Sequence, residues 1–171
     1  KKGGSVYPIV FFAIAVVSAL IRLFVSRKKL SRPEKAGVFL LYLIVMNIGA
    51  AGLYAFMGHA FLPNQVAEQI GWPTGSPFQF EIAIANLSYG LLGFLCIFIR
   101  GKFWMAVVIG NCIFLWGAAY GHFVQMMKGD KSPYNTGIFL YAGDIVIPLL
   151  IFILMFYYYR SLKNEIEIKN K

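Results

Sequence analysis

At 171 residues, 59% apolar, 17% aromatic and 13% charged, the chain departs from the make-up of a soluble domain, for which about 45–50% apolar and about 25% charged are usual. A mean hydropathy of +0.68 agrees. Composition excludes a disordered chain, a collagen-like rod and a disulfide scaffold, and the placing of the net charge of +9 excludes a nucleic-acid partner. The apolar residues gather in long runs, so the chain reads as an integral membrane protein whose first partner is the lipid bilayer.

Crossing about 30 Å of hydrocarbon at about 1.5 Å per residue takes about 20 residues. Five segments meet that length, at 5–26, 36–61, 77–99, 103–126 and 137–160. They must be helices, because hydrocarbon offers backbone N–H and C=O groups no other partner. The period-2 alternation of a barrel is absent. The predicted fold is an all-α polytopic bundle of five transmembrane helices, one transmembrane domain over 1–171 with a cytoplasmic tail at 161–171. Lys1 and Lys2 ahead of the first run resemble the start of a secretory signal peptide. The run exceeds a usual signal core and no small-residue cleavage site follows, so a retained helix is predicted.

Orientation follows from the cations. Arg27, Lys28, Lys29, Arg32 and Lys35 follow the first span, Arg100 and Lys102 the third, and Arg160, Lys163, Lys169 and Lys171 the fifth. Arg22 snorkels to the same side. Lys1, Lys2, Lys128 and Lys131 lie opposite. The imbalance predicts a multi-pass protein of the cell membrane with its N-terminus outside and its C-terminus in the cytoplasm. Cys96 and Cys112 fall inside spans and read as small buried apolar residues. Between the second and third spans, Asn64 is a candidate N-cap and Gly71 a stop, which predicts a short interfacial helix at about 65–70.

An ionisable side chain at membrane depth costs about 2.5–3.5 kcal/mol even on the lenient insertion scale, so each needs a partner or a task. His59, Glu81, His122 and Asp144 sit on four different spans, all within roughly 10 Å of the outer boundary at the helical rise. They predict one polar layer. His59 to Glu81 and His122 to Asp144 are equally spaced, and a shift of 63 superposes Ala55-x-x-Gly58-His59 on Ala118-x-x-Gly121-His122. Two repeated helical hairpins, helices two–three and four–five, would produce that pattern, as in parallel membrane repeats.

Helical spacing aligns Asn111, Leu115, Ala118, His122 and Gln125 on the fourth span, and Ile48, Gly52, Ala55 and His59 on the second. Gly117-x-x-x-Gly121 beside His122 predicts a close helix crossing, with Ala51-x-x-x-Ala55 as its counterpart. Pro148 removes a hydrogen bond to the backbone of Asp144 and predicts a broken helix there.

Three chemistries suit two imidazoles and two carboxylates. One is a hydrogen-bonded ionic network that specifies the bundle. Another is an outward-facing pocket that binds or translocates a small ligand or proton, with Gln79, Asn86, Gln125 and Asn135 as neighbours. The third is a divalent metal on His59, Glu81, His122 and Asp144. Bis-His haem ligation through His59 and His122 is a weaker fit beside carboxylates, and the cofactor stays open. Rival functions are an intramembrane acid–base or metal-dependent enzyme acting on a lipid-soluble substrate, with Glu81 or Asp144 and a histidine as its proton-transfer pair, and a structural subunit of a homo-oligomer or larger membrane complex.

The stretch Gly71-Trp72-Pro73-Thr74-Gly75-Ser76-Pro77-Phe78-Gln79-Phe80-Glu81, with Ala85-Asn86-Leu87 after it, resembles a family of small prokaryotic membrane proteins known only as a domain of unknown function. Gly121-His122 and Gly143-Asp144-Ile145-x-x-Pro148 are similar to its later motifs, so the resemblance spans roughly residues 55–150. It implies a five-helix or similar bundle and carries no activity, substrate or cofactor.

Overall fold

A computed structural model describes residues 6–170, and every regular element among them is helical. Lys1, Lys2 and Lys171, used above in the charge balance, lie outside the described residues, as does the first residue of the predicted first span. Five helices are long and apolar enough to cross a membrane: α1 (Tyr7–Phe24), α2 (Arg32–Phe61), α4 (Phe78–Leu95), α5 (Lys102–Met127) and α7 (Phe139–Lys169). Two short helices lie between them, α3 (Pro63–Ile70) and α6 (Pro133–Thr136). The long helices fit a multi-pass membrane protein, and their outward faces carry large apolar side chains such as Ile14, Ile113 and Ile153. The segment expected as a tail continues α7 without a break to Lys169.

Local chemistry sets the ends. At the start of α2 the Ser31 hydroxyl accepts from the Glu34 N–H at 3.4 Å, and the Glu34 carboxylate accepts from the Ser31 N–H at 2.7 Å. This is a capping box that satisfies two otherwise unpaired donors. Helix α3 begins at Pro63, one residue before the expected cap, because the fixed φ of proline suits a first helical position. The Asn64 side chain instead accepts from the Gly75 N–H at 3.2 Å and braces the following turn.

Gly71 ends α3 at φ 81°, in the left-handed region. A Cβ there would collide with the Asp130 carboxylate and lie 2.6 Å from the Ser132 hydroxyl oxygen. Asp130 is itself fixed, accepting from the Ser132 N–H at 2.8 Å and the Ser132 hydroxyl at 2.5 Å. Those bonds hold its carboxyl below the usual range. Gly75, at φ 76°, has nothing within 4 Å of the same position. Both Gly→Ala changes therefore carry the left-handed penalty of about 1–2 kcal/mol, and Gly71→Ala adds a clash. Thermal unfolding should show Gly71→Ala losing at least about 1 kcal/mol more than Gly75→Ala; equal losses would mean that the Asp130 turn does not abut α3.

Helices α2 and α7 are the most enclosed, and both contain a π-helical segment, Ile44–Ala50 in α2 and Phe139–Val146 in α7. The widened turn in α7 ends just before Pro148, where the sequence predicted a break. Towards the cation-rich end, Leu40, Ile44, Val108, Cys112, Ile151 and Met155 form a dry core between α2, α5 and α7, and both cysteines are free and buried.

The close helix crossing is elsewhere than predicted. Gly117 and Gly121 have open space where a Cβ would stand. The near contact joins α2 to α4: a Cβ on Gly52 would lie 2.9 Å from the Asn86 carbonyl oxygen, and one on Gly93 would lie 2.5 Å from the Gly49 nitrogen. Gly49, Gly52, Gly90 and Gly93 all lie buried at this seam. The two hairpins thus close differently, since positions 112, 115, 153 and 156, at the shift of 63, hold Cys, Leu, Ile and Phe.

Candidate functional site

Above the dry core lies a small cavity of about 40 Å³, lined among others by Tyr7, Asn47, Asn86, Asn111 and Asp144. Its lining on α7 runs from Phe139 through Asp144 to Ile151, about 18 Å along the helix. The two π-helical segments deliver its most exacting groups. Asn47 comes from the wide turn of α2 and Asp144 from that of α7, and both side chains are more than nine-tenths buried. π-Turns are rare and concentrate at functional sites because they rotate a side chain out of the regular α register.

The hydrogen-bond inventory is incomplete at that cavity. Asn47 Nδ2 donates to the Pro8 carbonyl at 3.0 Å, but Asn47 Oδ1 has no partner among the described residues. Asp144 Oδ2 is likewise buried and without a hydrogen bond. Asn86 donates from Nδ2 to the Ile82 carbonyl one turn back at 2.9 Å. Two buried oxygens without a hydrogen bond on residues lining one small cavity are unusual, since each buried unpaired acceptor costs about 1–3 kcal/mol.

His122 ties Asp144 to the outer segments. Asn135, fully buried in α6, donates from Nδ2 to the Ile70 carbonyl at 2.9 Å, which fixes its amide orientation. Its Oδ1 therefore faces His122 Nδ1 at 2.6 Å, and that ring nitrogen must carry the hydrogen. The other nitrogen, Nε2, lies 3.8 Å from Asp144 Oδ2. In the neutral ring Nε2 is an acceptor; in the charged ring it is a donor aimed at the carboxylate. A gap of 3.8 Å is too long for a direct hydrogen bond.

The four ionisable residues do not form one cluster. His122 and Asp144 meet, whereas His59 Nδ1 pairs with Gln79 Oε1 at 2.5 Å. Gln79 is buried and leaves its Nε2 without a partner. Neither residue is among those that line the cavity. Glu81 is exposed at the start of α4. No side-chain hydrogen bond or ion pair of Glu81 or Gln125 occurs among the described residues. No three His, Cys, Asp or Glu side chains come together there in a way that could hold a metal ion. Of the predicted neighbours, Asn86 lines the cavity and Asn135 braces His122.

Helical phase explains Glu81. Gln79, Ala83, Gly90 and Gly93 are the buried positions of α4, and Asn86 falls on the same 3.6-residue stripe. Glu81, two residues from Gln79, projects from the opposite side. The sequence reading places Asn111 on the His122 stripe but gives it no role, and it misses Asn47, although an amide within an apolar run also signals burial against hydrocarbon.

A model of a family of unknown function (DUF6790) matches residues 5–164, and the chain belongs to that family. The match extends well beyond the residues that carry the resemblance in the sequence and takes in the first helix. No curated protein and no solved structure matches the chain.

Proposed function

We propose that this member of the DUF6790 family is a multi-pass membrane protein that binds a proton or a small inorganic cation in the cavity at Asp144. The observation that carries the reading is a pair of buried oxygens without a hydrogen bond, Asp144 Oδ2 and Asn47 Oδ1, on two residues that line one cavity of about 40 Å³. A water needs about 10–15 Å³, so the space suits an ion or a few waters. It is far below the roughly 300–1,000 Å³ of an organic-ligand pocket, which disfavours an enzyme acting on a lipid-soluble substrate.

Carboxylate and amide oxygens are hard donors, suited to alkali or alkaline-earth ions and poorly suited to softer metals. One carboxylate balances one positive charge, which in hydrocarbon favours a proton or monovalent ion over an uncompensated divalent one. His122 supplies the other half of the arrangement. With Nδ1–H held by Asn135, its Nε2 accepts the proton that a cation displaces from the Asp144 carboxyl, relayed by a water across the 3.8 Å gap. It gives that proton up to the outer side, so that the carboxylate again balances a single positive charge. The cation-rich end belongs in the cytoplasm by the positive-inside rule, with the N-terminus outside, so His122 and Asn135 face exchange with the outer side.

The test is thermal unfolding of purified protein with Li⁺, Na⁺, K⁺ or choline at constant ionic strength over a pH series, for wild type and Asp144→Asn. A ligand at 100 times its Kd adds about 2.7 kcal/mol of stability. One small cation should stabilise the wild type saturably, less so as pH falls because protons compete for the carboxylate. Asp144→Asn should abolish both responses. A pH response lost in Asp144→Asn without cation dependence identifies the proton as the ligand. Equal cation and pH responses in the two proteins would falsify the reading.

A further inference from the structure

We infer that the cation-rich end of the bundle carries a seat for one anionic phospholipid, between the N-terminus of α2 and the extended end of α7. A groove of about 640 Å³ lies there, with Arg32 on one wall and Tyr157, Arg160, Ser161 and Asn164 on the other. The four α7 residues recur at helical spacing and so share a face. The volume is within the range of organic-ligand sites, unlike that of the buried cavity.

Charge selects the occupant. Lys169 also lines the groove, but its ammonium is bonded to Glu165 at 2.6 Å and is largely neutralised by it. Arg32 and Arg160 have no carboxylate in ion-pair range among the described residues. Two unpaired guanidinium forks across one groove suit a phosphodiester, which they bind in bidentate fashion. The one carboxylate that lines the groove, Glu165, is engaged by Lys169, so the lining itself favours an anionic headgroup over a zwitterionic one.

Depth and continuity select a lipid over a free anion. Tyr159 donates from its hydroxyl to the Gly101 carbonyl at 2.5 Å, and the Arg100 guanidinium stacks 5.8 Å from the Trp104 ring centre. Exposed Tyr157 and half-buried Tyr158 and Tyr159 beside Arg160 form the kind of aromatic belt that marks headgroup level. Directly above the groove on α7, the exposed residues Leu149, Ile153 and Tyr157 continue the stripe that ends at Arg160. An apolar track running into paired cations matches an acyl chain joined to its phosphate. Basic pockets between helices at this level bind anionic headgroups in the same way.

The test uses the full chain in detergent and counts bound lipid by native mass spectrometry during titration with phosphatidylglycerol or phosphatidylcholine. Wild type should retain one phosphatidylglycerol in clear preference to phosphatidylcholine. Arg32→Gln/Arg160→Gln should weaken that binding on the order of 30-fold. Arg27→Gln/Lys28→Gln, an equal charge change at the same end, should leave it within about threefold, since it touches only the diffuse surface potential. Equal losses in the two double variants would overturn the seat, as would equal retention of the two lipids. Inorganic phosphate at millimolar concentration should not displace the lipid; displacement would make the groove a soluble-anion site and overturn the assignment to a lipid. Circular dichroism melts establish that each variant is folded, and both arginines are exposed, so their loss leaves no buried group unpaired.

Discussion

Replacing Gly93 by valine should cost about 3 kcal/mol of stability, whereas the same change at Gly117 should stay within about 0.5 kcal/mol. At position 93 the first added carbon would stand 2.5 Å from the Gly49 nitrogen and 2.7 Å from its Cα, so backbone itself must move. Backbone cannot rotate aside as a flexible side chain can, and α2 and α4 would have to separate. Separation would also lift Gly52 from the Asn86 carbonyl and open the cavity wall that Asn86 and Gly52 share. Valine at Gly117 faces open space and a lipid-accessible surface. Reversible unfolding in mixed micelles measures the difference. Similar costs at the two positions would mean that the α2–α4 seam is looser than its glycines imply, or that a partner covers the Gly117 face.

This contrast shows which properties of the chain are readable from order alone. The five spans depend on length and mean apolarity, both local sums, and all five emerge, although the fifth runs on to Lys169 through the segment expected as a tail. A small-residue motif is also local, but whether another helix meets it is not. Gly117-x-x-x-Gly121 has the spacing of a packing motif and no neighbour, while Gly49, Gly52, Gly90 and Gly93 form the seam by matching across two helices. The polar layer divides in the same way. His122 and Asp144 both face inward and meet, but Glu81 begins its span one turn in, where an exposed carboxylate reaches water or headgroups at little cost. Position along each span is legible in the sequence; facing requires the phase of each helix. The π-turn that turns Asn47 inward has no proline to announce it, and its counterpart in α7 was legible only through Pro148.

Asn135→Ala should destabilise the protein by about 3 kcal/mol and release the outer segments before the bundle unfolds. The amide is fully buried and makes two bonds in opposite directions, accepting from His122 and donating to the Ile70 carbonyl. Removing it strands a donor and an acceptor where water has little access, at about 1–3 kcal/mol for each such group. Asn64→Ala removes an exposed bond to Gly75 and should cost less than about 1 kcal/mol. Amide exchange in α3 and α6 should accelerate selectively in Asn135→Ala, because that side chain joins both to α5. The histidine responds as well. Without an acceptor at Nδ1 the ring is free to move its hydrogen to Nε2, which faces Asp144. Nitrogen NMR of labelled His122 should then show the tautomer shift, and a double-mutant cycle with His122→Ala should give a coupling of about 1–3 kcal/mol. An unchanged tautomer and no coupling would mean that Asn135 packs the loop without orienting His122. The route by which the outer surface addresses Asp144 would then have to run elsewhere.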